Sequence, residues 1–329
     1  MKAVRFHDFG GPAVLRYEDV ERPTPGAGQV RIRVAATSFN GIDAALRSGR
    51  LQGSIPLRLP HTPGPDVTGT VDALGAGVDG DENELAVGDA VIALLPMDHD
   101  GGAAEYAIAP AQALTGIPRN VPLADAAALP LVGLTAWQAL FDHGRLTAGQ
   151  RVLINGAGGT LGGYAVQLAE EARAHVIATA GPRDAGWVGA VGADEVIGHA
   201  TEATAAMSEP VDLVVNLASA TSQQLAALLP LVRDGGRLVN AAVHTAVDTA
   251  ADREGWMPAP CDEPRGVHGI DVFVRSDADQ LADLVARVCT GELLLDVTHR
   301  VALADLPALH SRADAGTLPG KVVVVAHPT

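Results

Sequence analysis

Residues 151–172, RVLINGAGGTLGGYAVQLAEEA, combine the residue types and the spacing that can hold a phosphate. An apolar, strand-like run leads into a cluster of glycines, and a helical pattern follows. A helix that begins at such a loop offers unpaired N–H groups and the positive end of its dipole to an anion. Glycine is needed because a pyrophosphate must approach the backbone more closely than a Cβ would permit. The segment predicts a dinucleotide-binding loop, and a purely structural glycine-rich turn is the alternative.

The loop is a variant of the G-x-G-x-x-G fingerprint. Alanine stands first in the spacing Ala157-x-Gly159-x-x-Gly162. Alone this would be a weak signal, but it lies within a strand–loop–helix–strand pattern, which is the context that the fingerprint requires. The loop residues predicted to contact the cofactor are Gly156, Ala157, Gly158, Gly159, Thr160, Leu161 and Gly162.

The choice between NAD and NADP depends on the end of the next predicted strand. An NAD site needs a carboxylate about 20 residues after the loop to bind the ribose 2′-hydroxyl. Thr179 and Ala180 stand there instead, and Arg183 follows. Because a carboxylate would repel a 2′-phosphate and an arginine can bind it, we expect NADP(H). Two alternatives stay open: Asp184 could supply the acid, and Arg183 could be an ordinary surface residue.

Strands and helices alternate through the region that holds this loop. The apolar runs RVLIN, HVIAT, DEVIG, VDLVVNLA and GRLVNAAV are separated by helical patterns. This alternation predicts a parallel sheet with helices on both faces. Ligands of such sheets bind at the carboxyl ends of the strands. The position of the strand ends therefore adds Asn216, Ala218, Asn240, Ala241 and Ala242 to the candidate site residues.

The first part of the chain has a different pattern. Short apolar runs broken by Gly, Pro and Asp predict a β-rich region, as in QVRIRVAATSFN, DVTGTVDALG, GDAVIALL and AAEYAIAP. Residues 123–144 have helical spacing and end in His-Gly. Near the other end, DQLADLVARVCTGEL predicts a helix, and GKVVVVAHP predicts a strand that returns to the first domain. The predicted fold class is α/β: a β-rich domain interrupted by a doubly wound domain with a parallel sheet.

Composition excludes several classes of partner. The chain has 39 acidic and 23 basic residues, a net charge of −16, and no cluster of Lys and Arg. Nucleic acid and anionic membrane surfaces are therefore poor partners. The first residues lack the apolar core of a signal peptide, and no run is long and apolar enough to span a bilayer. Since Cys261 and Cys289 are too few for a disulfide scaffold, we expect a cytoplasmic protein.

The residue types that bind metals do not assemble into a predicted site. His61 lies near Asp66, and MDHDGG at 97–102 contains one His and two Asp, but neither grouping supplies three convergent ligands. Two distant cysteines cannot form a thiolate-rich zinc site. We expect no metal. Without a Lewis acid to polarise an alcohol, alcohol dehydrogenation is not favoured. The expected reaction is therefore hydride transfer from the cofactor to an acceptor that is already electrophilic.

Eight motifs in order resemble the zinc-independent quinone oxidoreductases of the medium-chain dehydrogenase/reductase superfamily. The resemblance runs nearly end to end. The motifs are NGIDAALRSG, LPHTPGPDVTGTV, VGDAVIAL, GGAAEYAIAP, AAALPLVGLTAWQAL, GAGGTLGGYAVQLA, GADEVI and GKVVV. The resemblance implies a GroES-like catalytic domain (1–119 and 264–329) and a Rossmann NADP-binding domain (120–263). It also implies a cleft between the domains for NADPH and the acceptor, and a homodimer.

The same resemblance assigns roles to several residues. Asn40 would line the acceptor site, and Asp43 and Arg47 would be scaffold residues of its loop; a buried turn residue is the alternative for Asn40. Many relatives have a Tyr between that Asp and Arg, whereas this chain has Ala44, Ala45 and Leu46. A phenol that could hydrogen-bond the acceptor carbonyl is therefore missing, and protonation of the product would come from solvent.

Further candidates belong to the cofactor side. Thr135 and Trp137 would pack near the nicotinamide, with helix packing as the alternative. DVFVR, which contains Phe273 and Val274, resembles the segment whose backbone meets the carboxamide. His199 stands where relatives often have a Tyr near the 2′-phosphate, although a lone His there can be structural. Lys321 is a further phosphate candidate.

Residues 244–269 are polar, contain prolines and have no periodicity, which is typical of a functional loop. We expect a lid or a wall of the acceptor pocket with Trp256 and Met257 as apolar contacts, or a patch that covers a dimer partner. The predicted function is NADPH-dependent reduction of a small quinone or α,β-unsaturated carbonyl. The alternatives are an enoyl-thioester reductase of polyketide or fatty-acid type and a non-catalytic NADPH-binding protein with a structural or redox-sensing role.

Overall fold

The computed structural model describes residues 1–78, 85–198, 207, 209–241, 258–318 and 320–327. The chain divides into two units. The first consists of Met1–Leu131 and Ser276–Thr329, and the second of Val132–Arg275. Both junctions come later in the chain than the limits expected from the resemblance.

The first unit is built on antiparallel strands. β1 (Lys2–Phe6) and β2 (Leu15–Asp19) form a two-stranded sheet. A larger sheet has the strand order β14-β15-β3-β4-β5-β7, and β6 also pairs with β3. Its strands are β3 (Gln29–Ser38), β4 (Asp66–Leu74), β5 (Ala90–Leu94), β6 (Tyr106–Pro110), β7 (Thr115–Gly116), β14 (His299–Ala302) and β15 (Val322–Val325). The helices of this unit are α1 (Gly41–Arg47), α6 (Ala278–Thr290) and α7 (Leu306–Asp314).

The central strand β3 shows why this sheet forms. Val30, Ile32 and Val34 alternate with more exposed residues and are buried, which is the period of two expected of a strand with one face on a core. They pack with apolar side chains of β4, β5 and β6. The predicted last strand is confirmed: β15 pairs with β3 in antiparallel register, Val323 opposite Ser38.

Residues 120–131 join the first unit because their small side chains pack on its sheet. Ala127 and Ala128, in a 3₁₀-helix at Asp125–Ala128, form a buried cluster with Ala36 of β3 and Val323 of β15. The backbone N–H of Leu131 donates to the side chain of Asp66 over 2.7 Å. These contacts explain why the unit continues beyond residue 119.

The second unit contains the predicted parallel sheet, with strand order β10-β9-β8-β11-β12-β13 and every pairing parallel. The direction in which successive strands are added reverses at β8. The strands are β8 (Arg151–Asn155), β9 (His175–Thr179), β10 (Glu195–Ile197), β11 (Val211–Asn216), β12 (Val232–Asn240) and β13 (His268–Asp271). The helices are α2 (Pro130–Trp137, which begins at the junction), α3 (Thr160–Glu171), α4 (Ala185–Ala190) and α5 (Ser222–Ala226). Because β13 pairs with β12, residues 264–275 belong to this unit.

One predicted helix differs in detail from the structure. Residues 123–144 form the 3₁₀-helix, α2 and a π-helix at Gln138–His143 instead of one continuous α-helix. Pro130 is the first residue of α2, and proline is accommodated in the first turn of a helix but not in its interior. Among the helices of the described ranges, none has the length and apolar character that crossing a membrane requires.

Candidate functional site

The glycine loop connects β8 to α3, so the predicted strand–loop–helix unit is confirmed. Gly156 has φ +90°, a left-handed conformation that favours glycine, and a Cβ there would lie 2.8 Å from the backbone N of Ala218. A Cβ at Gly162 would lie 2.4 Å from the Cα of Ala157. Two glycines are therefore required by close backbone approaches, one at the turn and one where the helix meets the loop.

A cavity of about 610 Å³ lies against this loop, a volume in the range of small-molecule sites. Of the predicted residues, Gly156, Gly158, Gly159, Thr179 and Ala218 line it. The sequence analysis did not assign a role to several other lining residues, namely Asn155, Gly181, Ser219, Ala220, Gln223, Gln224 and Ala227. The position of Asn155 at the carboxyl end of β8 could have identified it, as it identified Asn216.

Thr179 supports the loop through its side chain. Its hydroxyl accepts a hydrogen bond from the N–H of Gly156 (2.9 Å) and donates one to Oδ1 of Asn155 (2.8 Å). The carbonyl of Thr179 accepts from the N–H of Ala157. The residue at the position of the expected acid is therefore a neutral, buried side chain that holds the start of the loop.

The two charged residues that follow β9 differ in exposure. The Arg183 side chain is 89% exposed, and its Nε lies 3.5 Å from Oδ1 of Asp184. Asp184 lies beside the loop, since a Cβ at Gly158 would meet its Cβ at 3.1 Å. The Arg183 side chain thus lies largely in solvent, whereas Asp184 lies against the glycine loop.

Other predicted residues of this unit lie at strand and helix ends. Asn216 is buried at the end of β11 and donates to the carbonyl of Ala218 (3.0 Å), and its own carbonyl accepts from the N–H of Ala241. Thr135 is buried in α2, and the ring of Trp137 packs edge-on against Phe141 at 5.0 Å.

The segment with Phe273 and Val274 is fixed by its neighbour Arg275. The side chain of Gln138 accepts from the N–H of Arg275 and donates to its carbonyl, both over 3.0 Å. The Phe273 side chain is exposed. His199, Ala242, Trp256 and Met257 lie outside the described residues.

In the first unit, Asn40 stands immediately before α1 and is buried. Its N–H donates to Oδ2 of Asp43 over 2.8 Å, and the other oxygen of Asp43 accepts from the N–H of Gly64 over 3.0 Å. Arg47, at the other end of α1, is also buried, and pairs with Asp314 at 2.7 Å. Asn40, expected at the acceptor site, and Asp43 and Arg47, expected as scaffold residues, thus hold α1 to its surroundings.

The side-chain amide of Asn40 is engaged on both sides. Its Nδ2 donates to Oδ2 of Asp66 (2.8 Å), and its Oδ1 accepts from Nζ of Lys321 (2.6 Å). Lys321 also lies 3.7 Å from Asp66, which accepts in addition from the hydroxyl of Ser38. Lys321, which the sequence offered as a phosphate candidate, is therefore a buried partner of Asn40 and Asp66.

Burial shifts the pKa of two groups in this network. Loss of solvation raises the pKa of Asp43 to about 7, against the opposing effect of the two backbone N–H donors. Burial lowers the pKa of Lys321, and the nearby carboxylates of Asp66 and Asp43 oppose that shift. Burial thus acts on the carboxyl group of Asp43 and on the amino group of Lys321 in opposite directions.

The groupings of potential metal ligands are engaged in other contacts. His61 packs edge-on against Phe6, with Nδ1 4.0 Å from Asp100, and His99 bonds Asp98. Within the described ranges, no three or more His, Cys, Asp or Glu side chains are arranged to hold a metal ion.

Two segments of the chain match known families. Residues 26–119 match the family described as alcohol dehydrogenase GroES-like domain, and residues 191–324 match the family described as zinc-binding dehydrogenase. The fold class predicted from the sequence, a GroES-like domain with a Rossmann-type domain, is confirmed.

Several relatives match the chain over almost its whole length. The chain is 31% identical over 334 residues to a chloroplastic quinone-oxidoreductase, QR1, of Triphysaria versicolor, covering 98% of each chain. The structure of a quinone oxidoreductase from Coxiella burnetii superposes with a TM-score of 0.85 at 27% identity, covering 99% of each chain. A mycobacterial protein, Rv1454c, whose structure contains NADPH, superposes with a TM-score of 0.82 at 27% identity, covering 99% of this chain and 100% of that one.

The protein is thus an oxidoreductase of the medium-chain dehydrogenase/reductase superfamily. Within that superfamily, the chain belongs to the quinone oxidoreductase family.

Proposed function

We propose that the protein transfers hydride from NADPH to a small quinone or an α,β-unsaturated carbonyl, without a metal ion. The observation that carries this proposal is the glycine loop with its adjoining cavity. Gly156 and Gly162 allow backbone approaches that a Cβ would block, and this is the cradle that a pyrophosphate needs. A nicotinamide dinucleotide therefore fits the residues that are present.

The proposed cofactor contacts begin with the loop, residues 156–162, and with the N-terminus of α3. Thr179 aligns the loop, and Arg183 binds the 2′-phosphate. The side chain of Arg183 is 89% exposed and lies 3.5 Å from the carboxylate of Asp184, so that it can turn toward an added anion. The remaining proposed contacts are Thr135, Asn216, Ala218, Ala241, Phe273 and Val274. When bound, the cofactor supplies the hydride, while the chain binds, orients and excludes water.

The chemistry near Asn40 supports a reaction without zinc. The buried amide of Asn40 and the buried carboxylate of Asp66 both interact with the ammonium group of Lys321. A divalent cation there would be repelled by Lys321 and would find neither thiolate nor imidazole. An acceptor that is already electrophilic needs no such ion.

Quinones are the proposed acceptors because two of the relatives reported above, from Triphysaria versicolor and Coxiella burnetii, are described as quinone oxidoreductases. Asn40 enters the proposal as an acceptor-site residue, held in one orientation by Lys321 and Asp66. Ala44, Ala45 and Leu46 offer no proton donor, so we propose that solvent protonates the product. We also propose a homodimer, which sedimentation equilibrium would test.

The proposed function is tested by the consumption of NADPH, with NADH in parallel, across small quinones, enones and enoyl thioesters. Rapid oxidation with quinones, and with NADPH preferred, is the expected result. Turnover of enoyl thioesters alone would show that the acceptor is a thioester and not a quinone. Tight NADPH binding without oxidation by any of these acceptors would contradict an enzymatic role with them.

A further inference from the structure

The side chain of Gln138 hydrogen-bonds both backbone groups of one residue, Arg275. Its Oε1 accepts from the N–H of Arg275, and its Nε2 donates to the carbonyl of the same residue, both over 3.0 Å. Paired residues on two antiparallel strands exchange two such bonds. One buried amide therefore does for Arg275 what a neighbouring strand would do, although Arg275 comes after the end of β13 at Asp271.

A second side chain of the same helical segment holds the side chain of Arg275. Oδ2 of Asp142 lies 2.8 Å from Nη2 of Arg275. Gln138 and Asp142 both belong to the π-helix and are four residues apart, which is about one turn. Gln138 is fully buried, whereas the ion pair is partly exposed. We call Gln138 and Asp142 the Arg275 clamp.

The π-helix that carries the Arg275 clamp directly follows α2. Such wide helical turns are rare and are frequently found at functional sites. The buried Thr135 of α2, a proposed cofactor contact, stands three residues before Gln138, a spacing that makes two helical residues neighbours. One helical segment therefore carries a proposed cofactor contact and the clamp that holds the chain next to two others, Phe273 and Val274.

The strand order places the clamped segment and Thr179 on opposite sides of the glycine loop. β9, which ends in Thr179, is next to β8 on one side, and β11, β12 and β13 follow on the other. Neighbouring strands are about 4.8 Å apart, so β13 lies about 14 Å from β8. In such sheets the adenosine ribose lies at the end of the strand that follows the glycine loop, here β9. The nicotinamide end of a dinucleotide bound across β8 therefore extends toward the chain after β13.

We propose that Gln138 and Asp142 are positioning residues for the nicotinamide end of the cofactor. They hold Arg275 and thereby keep the backbone of Phe273 and Val274 in place before the cofactor binds. Binding to a segment that is already ordered costs less free energy than binding that must order the segment. The inference rests on the proposed function, in that a nicotinamide dinucleotide binds at the glycine loop.

The test compares two ligands, NADPH and 2′-phospho-ADP-ribose, which lacks the nicotinamide ring. Dissociation constants are measured by the fluorescence of NADPH, and for the second ligand by competition with it, in the unmodified protein and in Gln138→Met. Methionine offers no donor and only a weak acceptor, so both bonds to Arg275 are lost. We expect the dissociation constant of NADPH to rise about tenfold and that of 2′-phospho-ADP-ribose to stay within about twofold.

Gln150→Met is the matched control. The side chain of Gln150 also accepts from a backbone N–H, that of Thr147 over 2.9 Å, but Gln150 stands just before β8, at the amino edge of the sheet. Both dissociation constants should be unchanged in the control. Unchanged affinity of Gln138→Met for NADPH would overturn the proposal. An equal rise for both ligands would also overturn it, because general damage to the unit has that effect.

Asp142→Asn tests the other residue of the Arg275 clamp. The variant removes the charge from a partly exposed ion pair, so the loss of stability should be small. The dissociation constant of NADPH is expected to rise about threefold, again without an effect on 2′-phospho-ADP-ribose. Unchanged NADPH binding would remove Asp142 from the proposal. Should Gln138→Met not fold, Asp142→Asn decides alone, and unchanged NADPH binding by it overturns the proposal.

Hydrogen exchange at the amide of Arg275 distinguishes failure of the clamp from failure of the proposed function. Without cofactor, this exchange is expected to be faster in Gln138→Met than in the unmodified protein, because Gln138 accepts from that amide. If the unmodified protein binds neither NADPH nor NADH, the proposed function and the role of the clamp in binding both fail, even where exchange follows this pattern. If it binds NADPH and exchange is the same in the two proteins, only the clamp proposal fails.

Discussion

The Nζ of Lys321 lies 2.6 Å from the Oδ1 of Asn40, although 281 residues separate the two in the chain. The contact joins the turn before α1 to the residue before β15 and places a cation 3.7 Å from the buried carboxylate of Asp66. Since both sides of the Asn40 amide are engaged, the orientation of this side chain depends on Lys321 and Asp66 together.

Replacing Lys321 with Met should destabilise the protein by about 3–5 kcal/mol, because the carboxylate of Asp66 would remain buried without its cation. Unfolding in urea measures the change. Lys2→Met is the matched control, since Lys2 pairs with Asp19 at the surface and its removal should have little effect. Equal losses in the two variants would show that Lys321 does not compensate Asp66.

The raised pKa of Asp43 predicts a pH dependence of stability. The carboxyl group of Asp43 has a pKa of about 7 in the folded protein and near 3.8 in the unfolded chain. Between these two pH values the folded protein therefore keeps a proton that the unfolded chain has released. The contribution of this proton to the free energy of unfolding is fully present below pH 4. It is lost as the pH rises toward 7, by at most about 1.4 kcal/mol per pH unit. Urea unfolding between pH 4.5 and 8 should show the decline attributable to this group, with a plateau above pH 7.

The variant Asp43→Asn should lose this part of the slope, whatever its absolute stability. Asp234→Asn changes a carboxyl that is 79% exposed and should keep the slope of the unmodified protein. If the slopes of all three proteins coincide, Asp43 is ionised in the folded state over the whole range.

The adjacent glycines 162 and 163 offer a matched pair of substitutions within α3. A Cβ at Gly162 would lie 2.4 Å from the Cα of Ala157, whereas a Cβ at Gly163 would meet Nε1 of Trp187 at 3.5 Å, an ordinary contact. Gly162→Ala should therefore destabilise the protein by about 2 kcal/mol and weaken NADPH binding. Gly163→Ala should be neutral or stabilise by up to about 1 kcal/mol, because alanine favours the helix. Urea unfolding and an NADPH titration measure both effects, and similar behaviour of the two variants would contradict the close packing at Gly162.

Cofactor preference should depend on Arg183. Arg183→Ala is expected to raise the KM for NADPH about tenfold, through loss of a charged contact to the 2′-phosphate, and to leave the KM for NADH unchanged. Arg119→Ala, at another exposed arginine, is the control and should change neither value. Steady-state kinetics with both cofactors decide the matter: an equal change for NADPH and NADH would exclude recognition of the 2′-phosphate by Arg183.

The glycine loop was predictable because its signal is local. A strand, a run of glycines and a helix follow one another within about 20 residues, and close backbone approach leaves few alternatives to glycine. The strand ends at Asn216 and Asn240 were predictable for the same reason, since each follows an apolar run directly.

The environment of Lys321 could not be predicted from the sequence. Its partners, Asn40 and Asp66, are far from it in the chain, and only the pairing of β15 with β3 brings them together. In sequence, Lys321 resembles a phosphate ligand because it follows a glycine. Its burial and its contacts with Asn40 and Asp66 depend on the tertiary structure, which the sequence does not display. Residues 120–131 illustrate the same limit: their helical pattern did not distinguish a 3₁₀-helix from an α-helix, and packing of Ala127 and Ala128 on Ala36 decides which unit contains them.

The pairing of β15 with β3 has a consequence for synthesis on the ribosome. Every residue of the second unit is made before the first residue of α6, β14 or β15 exists. At about 5–20 residues per second, translation of residues 276–325 takes about 3–10 s. During that interval the nascent chain contains β3 without its β15 partner and Asp66 without Lys321. Conditions that slow translation of this stretch should therefore prolong exposure of an incomplete first unit to chaperones and proteases.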